Sequence, residues 1–433
     1  MEVGMATTVT TWRSLLKPFL PIFTQPVRVI FTRLTVGWIL CTVRRTVTGM
    51  LPFADPFGTQ AHDAYHRFFP DARWSMAKLW RTLAFSLIRT FYRTGLVTLA
   101  LDDTLFRHSG KKVNGAGWWR DAVRSTSNQH VSAWGLNLIV LTLQIQPPWG
   151  GEPLGLPINM RLHRKNSSSL IDLAQQMIHE VIQWFPERGF CVVGDGFYAT
   201  LVGKELSRTT IISRIQRNAE LYDLPTKPRK KGPGRPRTKG KRLASPEKMA
   251  PRIQNWQSVE VRERGKMRTR WVYAKIVLWY RVSHQPILLV ISRDPAGKEK
   301  DDFLLTTDVT MTPAEVIGCY ADRWAIEDTF KNTKQFLGGQ QPQTFKGKGP
   351  ERAAGLSLWL YSMVWLWYLL QKSNKRYFMV WPWNPYKSRP SFADALTALR
   401  SDLWRERIKC MFGTSAVHDK NIEFLIEALA AAA

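Results

Sequence analysis

Two short apolar runs that end in aspartate constrain this chain most: LVTLALDD at residues 96–103 and CVVGDG at residues 191–196. In the first, Val97, Leu99 and Leu101 alternate with Thr98, Ala100 and Asp102, the period of two that marks a β-strand. The second reads as a short buried strand. Between them lie another strand-like run, LNLIVLTLQI at 136–145, and a helical pattern over about 169–185. Strand, strand, helix, strand is the order of a mixed α/β core. Burying an unpaired carboxylate costs several kcal/mol, so aspartates at the ends of such strands need a cation, a hydrogen-bond network or a metal. Asp102, with Asp103 beside it, and Asp195 stand in that position. Gly194 and Gly196 flank Asp195 and would let a phosphate backbone come close.

The third carboxylate comes from a helix. Thr312-Pro313-Ala314-Glu315 combines a capping box with proline in the first turn, and Gly338-Gly339 stops the pattern. The spacing predicts one helix of about 25 residues, ~37 Å long. Tyr320, Arg323, Glu327 and Lys334 fall near 0°, 300°, 340° and 320° at roughly 100° per residue, with Lys331 near 20°, so they share one stripe. Ile326, Thr329, Phe330, Thr333 and Leu337 form the opposite, mostly apolar arc. Three carboxylates from two strands and a helix make a hard, oxygen-rich set suited to Mg²⁺ or Mn²⁺. Two such ions can clamp the attacking and leaving oxygens of a phosphodiester.

Charge points to the same class of substrate. The 433 residues carry 62 Lys and Arg against 34 Asp and Glu, a net charge of +28, which calls for a polyanionic partner and argues against an enzyme of neutral metabolites. The 44% hydrophobic content excludes disorder as the main description. Cys41, Cys191, Cys319 and Cys410 show no metal or disulfide spacing, so a reducing compartment is expected, and the N-terminus shows no secretion signal. The apolar run at 356–370 is too short for a membrane span and reads as a buried Trp-rich helix; no membrane partner is expected.

The spacing Tyr320-x2-Arg323-x3-Glu327-x6-Lys334 resembles, without a gap, the Tyr-Arg-Glu-Lys signature of a group of bacterial insertion-sequence transposases with a DDE triad. LALDDTLF and CVVGDGFYA resemble that group's first two acidic motifs, in the same order, and the resemblance spans roughly residues 95–370. It implies an RNase H-like core interrupted by a β-strand insertion, with two-metal cleavage of DNA and strand transfer into a target. Carried over, Asp102, Asp195 and Glu327 are the catalytic and metal-binding residues, with Asp103 the alternative first aspartate, and two Mg²⁺ ions, replaceable by Mn²⁺, are the cofactors. Tyr320, Arg323 and Lys334 would hold the DNA phosphates, and Lys331, on the same stripe, is a further candidate DNA contact. The partners implied are the element's terminal inverted repeats and the target DNA. The working form implied is a homodimer on DNA, in the bacterial cytoplasm at the nucleoid. A metal-dependent nuclease without joining activity, or an inactive DNA-binding descendant, would share much of this pattern.

The expected organisation is a helical DNA-binding region at 1–95, the first part of the catalytic core at 96–215, a basic loop and β-strand insertion at 216–308, the rest of the core with the Glu helix at 309–372, and a helical end at 373–433. In the insertion, residues 227–242 (KPRKKGPGRPRTKGKR) hold nine cations and no acid, an extended loop for DNA. Lys230, Lys231, Arg235 and Arg237 are its candidate contacts, and Pro233-Gly234-Arg235-Pro236-Arg237 resembles a minor-groove AT-hook. Three β-rich runs follow, within 256–292. Arg107, His108, Lys111 and Lys112 form a further DNA-facing loop, and Trp256, Trp271 and Trp279 are aromatic candidates for stacking.

Overall fold

The computed structural model describes residues 10–121, 124–126, 128–225, 237–371, 378–380 and 382–432. Five helices come first: α1 (Trp12–Leu16), α2 (Gln25–Leu40), α3 (Val47–Ala54), α4 (His62–Arg67) and α5 (Met76–Phe91). Strands β1 (Val97–Arg107), β2 (Gly117–Arg120), β3 (Ser132–Ile145) and β4 (Leu154–His163) lead to α6 (Leu170–Trp184), β5 (Phe190–Gly194) and β6 (Thr209–Arg214). After α7 (Pro246–Met249) come β7 (Gln257–Glu263), β8 (Lys266–Leu278), β9 (Pro286–Arg293) and β10 (Asp302–Thr306). Five helices close the chain: α8 (Pro313–Asp322), α9 (Ala325–Gln335), α10 (Gly349–Leu370), α11 (Phe392–Phe412) and α12 (Lys420–Ala431).

All ten strands form one sheet in the order β2-β3-β1-β5-β6-β10-β9-β8-β7, with β4 also paired to β3. Antiparallel β4-β3-β1 followed by β5 and β6 parallel to β1 is a mixed sheet of the RNase H-like kind. The expected β insertion is real as strands but is no separate layer. β10 pairs antiparallel to β6, and β9, β8 and β7 extend from it, so the insertion widens the core sheet. A buried Arg270–Glu263 ion pair at 2.6 Å ties its outer hairpin together.

Alternation fixes what each face carries. Asp102 and Thr104 lie on one face of β1, against which α9 packs. Asp103 lies on the other, where α6 holds β4 through Glu180, bonded to Asn159 at 2.9 Å. β1 does not stop at the aspartates: it runs on to Arg107, paired with β3 throughout, so Asp102 and Asp103 are mid-strand residues. The polar trio Asp102-Asp103-Thr104 hides this continuation, because polar partners on both faces replace the apolar ones a strand interior usually has.

The Trp-rich helix is α10, 22 residues long, and 94% of its most apolar stretch is buried inside the protein. By length and composition it could cross a membrane, which corrects the shorter estimate from sequence, but here it is the central core helix. One continuous apolar cluster joins Trp12, Trp38 and Leu83 of the N-terminal helices to the sheet, to α10 and to Leu403 of α11. On α5, Leu79, Trp80, Leu83 and Leu87 face this core, while Lys78, Arg81 and Arg89 are exposed.

Candidate active site

Two aspartates stand side by side on the sheet, and an arginine links one of them to Glu327. Leu101 of β1 pairs with Gly194 of β5 in parallel register, so the next step sets Asp195 beside Asp102. Asp195 also starts a short 3-10 helix, its carboxylate accepting the Phe197 N–H at 2.9 Å. From the other side, Arg323 forks: one nitrogen donates to Asp102 at 2.7 Å and the other to Glu327 at 3.4 Å. Residues 225 positions apart in sequence are thereby joined through one guanidinium.

This geometry separates the two adjacent aspartates. Asp102 faces Arg323 and Glu327, whereas Asp103 accepts a hydrogen bond from the Tyr198 hydroxyl at 3.1 Å and faces Asn137. Burial, opposed by Arg323 and reinforced by the negative charge of Asp195 and Asp103, pushes Asp102 up to about 7. Burial pushes Asp103 up to about 6 and also raises Glu327. Burial thus disfavours the charged form of each of these carboxylates.

The stripe does not lie on a single helix. α8 ends at Asp322 and α9 begins at Ala325, because Arg323 and Trp324 bond back three residues, to Tyr320 and Ala321 at 3.3 Å each. That 3-10 turn redirects the axis. α8 packs through Val316 and Ile317 on the cluster formed with Val261, Val272 and Leu304, while α9 packs through Ile326 and Phe330 on the main core, and one straight helix could not serve both. Gly155 permits the junction, since a Cβ there would meet the Ala325 carbonyl at 3.1 Å. The capping box of Thr312 and Glu315, with Pro313 at the first position, forms as the sequence predicts.

Tyr320 packs beneath Arg323 and Arg214, whose guanidinium carbons lie 5.6 and 5.2 Å from its ring. Lys334 donates to Thr104 at 2.7 Å, and burial lowers it to about 8. Lys331 is exposed one turn beyond Glu327. Lys230, Lys231 and Arg235, with most of the hook-like segment, lie outside the described residues. Arg237 is exposed where description resumes, in a turn pinned by Lys239 on the Tyr222 ring at 4.0 Å and by Arg242 on Glu220 at 3.3 Å. These two cations are therefore engaged with the protein, and that end of the loop is anchored to it. Gly194 serves packing, because a Cβ there would strike the Tyr198 side chain at 2.8 Å, while the space at Gly196 is ordinary. Of the insertion tryptophans, Trp279 is buried and Trp256 lies under Arg293, leaving Trp271 exposed.

Tyr198, Arg214 and Trp324 are additions that the spacing did not single out. Tyr198 was legible as part of CVVGDGFYA, but only the fold shows that its hydroxyl reaches Asp103. Trp324 is exposed at the helix junction with Arg264 over its ring at 4.2 Å.

Hard carboxylate oxygens suit a divalent cation, so the chemistry of the donor set fits one. Among the described residues, though, no three ligating side chains are gathered closely enough to hold an ion, because Arg323 stands between Asp102 and Glu327.

A family profile described as DDE superfamily endonuclease matches residues 18–284, more than half of the chain. The chain belongs to the DDE superfamily of endonucleases. Asp102 and Asp195 fall inside the match and Glu327 beyond it, while α2 to α5, also inside, form part of the DDE domain. A solved piggyBac transposase synaptic complex with hairpin DNA is similar over 94% of this chain and 76% of that chain, at 10% sequence identity and a TM-score of 0.39. No curated protein matches the chain.

Proposed function

We propose that this DDE endonuclease is the transposase of a bacterial insertion sequence, of the group with the Tyr-Arg-Glu-Lys signature. It binds the terminal inverted repeats of its element, cuts DNA at their ends and joins the freed 3′-OH to target DNA. The observation that supports this reading is that Asp102 of β1 and Asp195, just after β5, stand side by side and that Arg323 links Asp102 to Glu327 of α9 across the same face of an RNase H-like sheet. These three would hold two Mg²⁺ ions, or Mn²⁺ in their place, which when bound activate water and stabilise charge on the phosphodiester. Asp103, turned toward Tyr198, positions β1 against the 3-10 helix after Asp195 and is not a ligand.

The cations do the holding. Arg323 offers a flat fork to a phosphate and Lys334 a point charge, with Tyr320 supporting Arg323 from below. Lys331, Arg237 and the loop residues Lys230, Lys231 and Arg235 supply less specific backbone contacts. Because each element end needs its own centre, the working form is a homodimer on DNA, acting at the bacterial nucleoid.

One observation favours a second reading. Arg323 already neutralises Asp102 and Glu327, as it would in a DNA-binding descendant that has lost catalysis. A strand-transfer assay with labelled element ends and Mg²⁺ or Mn²⁺, run beside Glu327→Gln, separates the possibilities. Metal-dependent cutting and joining that vanish in the variant support the transposase. Cutting without joining supports a nuclease, and specific binding with no cutting by the native protein supports the inactive descendant.

A further inference from the structure

The catalytic face of the sheet continues past the active site into an exposed aromatic and basic ribbon. On β1 the face runs Asp102, Thr104, Phe106; the register then crosses to β3 and β2, where Trp134 pairs with Trp118. By alternation both tryptophans lie on the face that carries Asp102. The turn after α9 covers this face as far as Phe106, where a Cβ on Gly339 would come within 2.8 Å of the ring. Beyond it the sheet emerges into solvent.

There Trp118 is 60% exposed, its ring set edge-on to Trp134 at 6.0 Å. Trp134 is fixed, its indole N–H donating to the Gly110 carbonyl at 2.9 Å. The neighbouring Trp119 serves the fold: it points to the opposite face, donates to the Gly135 carbonyl at 3.2 Å and stacks on His163 at 4.7 Å. Trp118 has no comparable task, although an exposed indole on a short strand is unfavourable. Residues 107–124 carry five Lys and Arg against one acid, Asp121, which Arg107 engages at 2.6 Å. Lys111, Lys112, Arg120 and Arg124 are exposed around the indole pair.

We propose that this β2–β3 ribbon is a DNA platform, with Trp118 stacking on a nucleobase and the surrounding cations neutralising the adjoining phosphates. The proposal rests on DNA being the substrate. Charge complementarity and continuity with the catalytic face select a nucleic-acid strand as the occupant. Six residues of strand separate Asp102 from the level of Trp134, about 20 Å at ~3.3 Å per residue, which matches about six nucleotides at ~3.4 Å each. The platform therefore grips DNA about six nucleotides from the bond being cut.

The test uses the full chain in EDTA, with a short duplex bearing a single-stranded tail that contains 2-aminopurine, followed by anisotropy and 2-aminopurine fluorescence. Trp118→Ala is expected to weaken tailed-duplex binding roughly 5- to 100-fold and abolish the 2-aminopurine quenching, with Trp118→Phe close to native and melting temperatures unchanged. A Lys111→Ala, Lys112→Ala double variant should weaken tailed and blunt duplexes alike and lower the salt dependence by about two counter-ions. If Trp118→Ala binds within about twofold of native and keeps the quenching, the platform is wrong and the functional reading stands. If Trp118→Ala leaves DNA binding intact but lowers self-association in sedimentation, the ribbon is a protein interface instead. A native protein that binds no DNA overturns both readings.

Discussion

At the scale of residues, Arg323 is the group on which the metal-free site depends. Breaking a buried pair strands the remaining charge at a cost of about 3–5 kcal/mol, unless that charge can be neutralised. Asp102, raised to about 7 even with Arg323 lowering it, should rise further in Arg323→Ala and take a proton, so the variant should cost little at pH 6 and somewhat more, but still under ~3 kcal/mol, at pH 8 by chemical denaturation. Mg²⁺ should raise the melting temperature of this variant more than that of the native protein; equal effects would show that the guanidinium does not occupy the cation's position. The native protein has its own pH signature. Folded Asp102 keeps its proton up to about 7, against about 4 when unfolded, so the stability this contributes is complete below pH 4 and lost as pH rises through 7. Melting temperature without metal should fall between about pH 4 and 7, and Asp102→Asn should flatten the fall. The sequence placed a carboxylate at this point but left Asp102 and Asp103 as alternatives. Both are polar, and only pairing with β3 and the approach of Arg323 decide which one faces Glu327.

At the scale of elements, α9 is clamped along β1: Arg323 on Asp102, Lys334 on Thr104, and Gln340 accepting the Arg107 N–H at 2.6 Å. Burial holds Lys334 near 8, so in the absence of DNA it sheds its charge just above neutrality. If it contacts phosphate, affinity for end DNA should weaken several-fold as pH rises through about 8, and Lys334→Arg, charged throughout, should remove that dependence in a binding titration. A pH-independent native affinity would take Lys334 out of the interface. The helix itself was legible from its capping box and its apolar arc. Its break at Arg323 and Trp324 was not, because no proline or glycine marks it and the cause is tertiary: two halves packing on different clusters. The extension of β1 to Arg107 escaped for a similar reason, since the long partner β3 stabilises a polar stretch that has no alternating pattern of its own.

At the scale of the whole molecule, the sheet and the helices before it share one continuous apolar core. Trp38 of α2 donates to the Leu337 carbonyl at 2.7 Å and Arg352 of α10 to the Phe69 carbonyl at 2.9 Å, both across the expected boundary at residue 95. A chain beginning at residue 96 should therefore show no cooperative melt, whereas one that folds and cuts DNA would make the N-terminal helices a separable module. Strand order and patterning revealed the α/β class and the β strands after the loop. That those strands would join the core sheet through β10 depended on long-range pairing, which local patterns do not encode. The proposed function requires that this sheet bring Asp102, Asp195 and Glu327 to a common divalent cation. Titration of the full chain with Mn²⁺, followed by electron paramagnetic resonance, tests it most directly. Saturable binding is expected that is lost or weakened at least tenfold in Asp102→Asn, Asp195→Asn and Glu327→Gln but kept in Asp103→Asn; equal binding by all four variants, or none by the native protein, would contradict a three-carboxylate site.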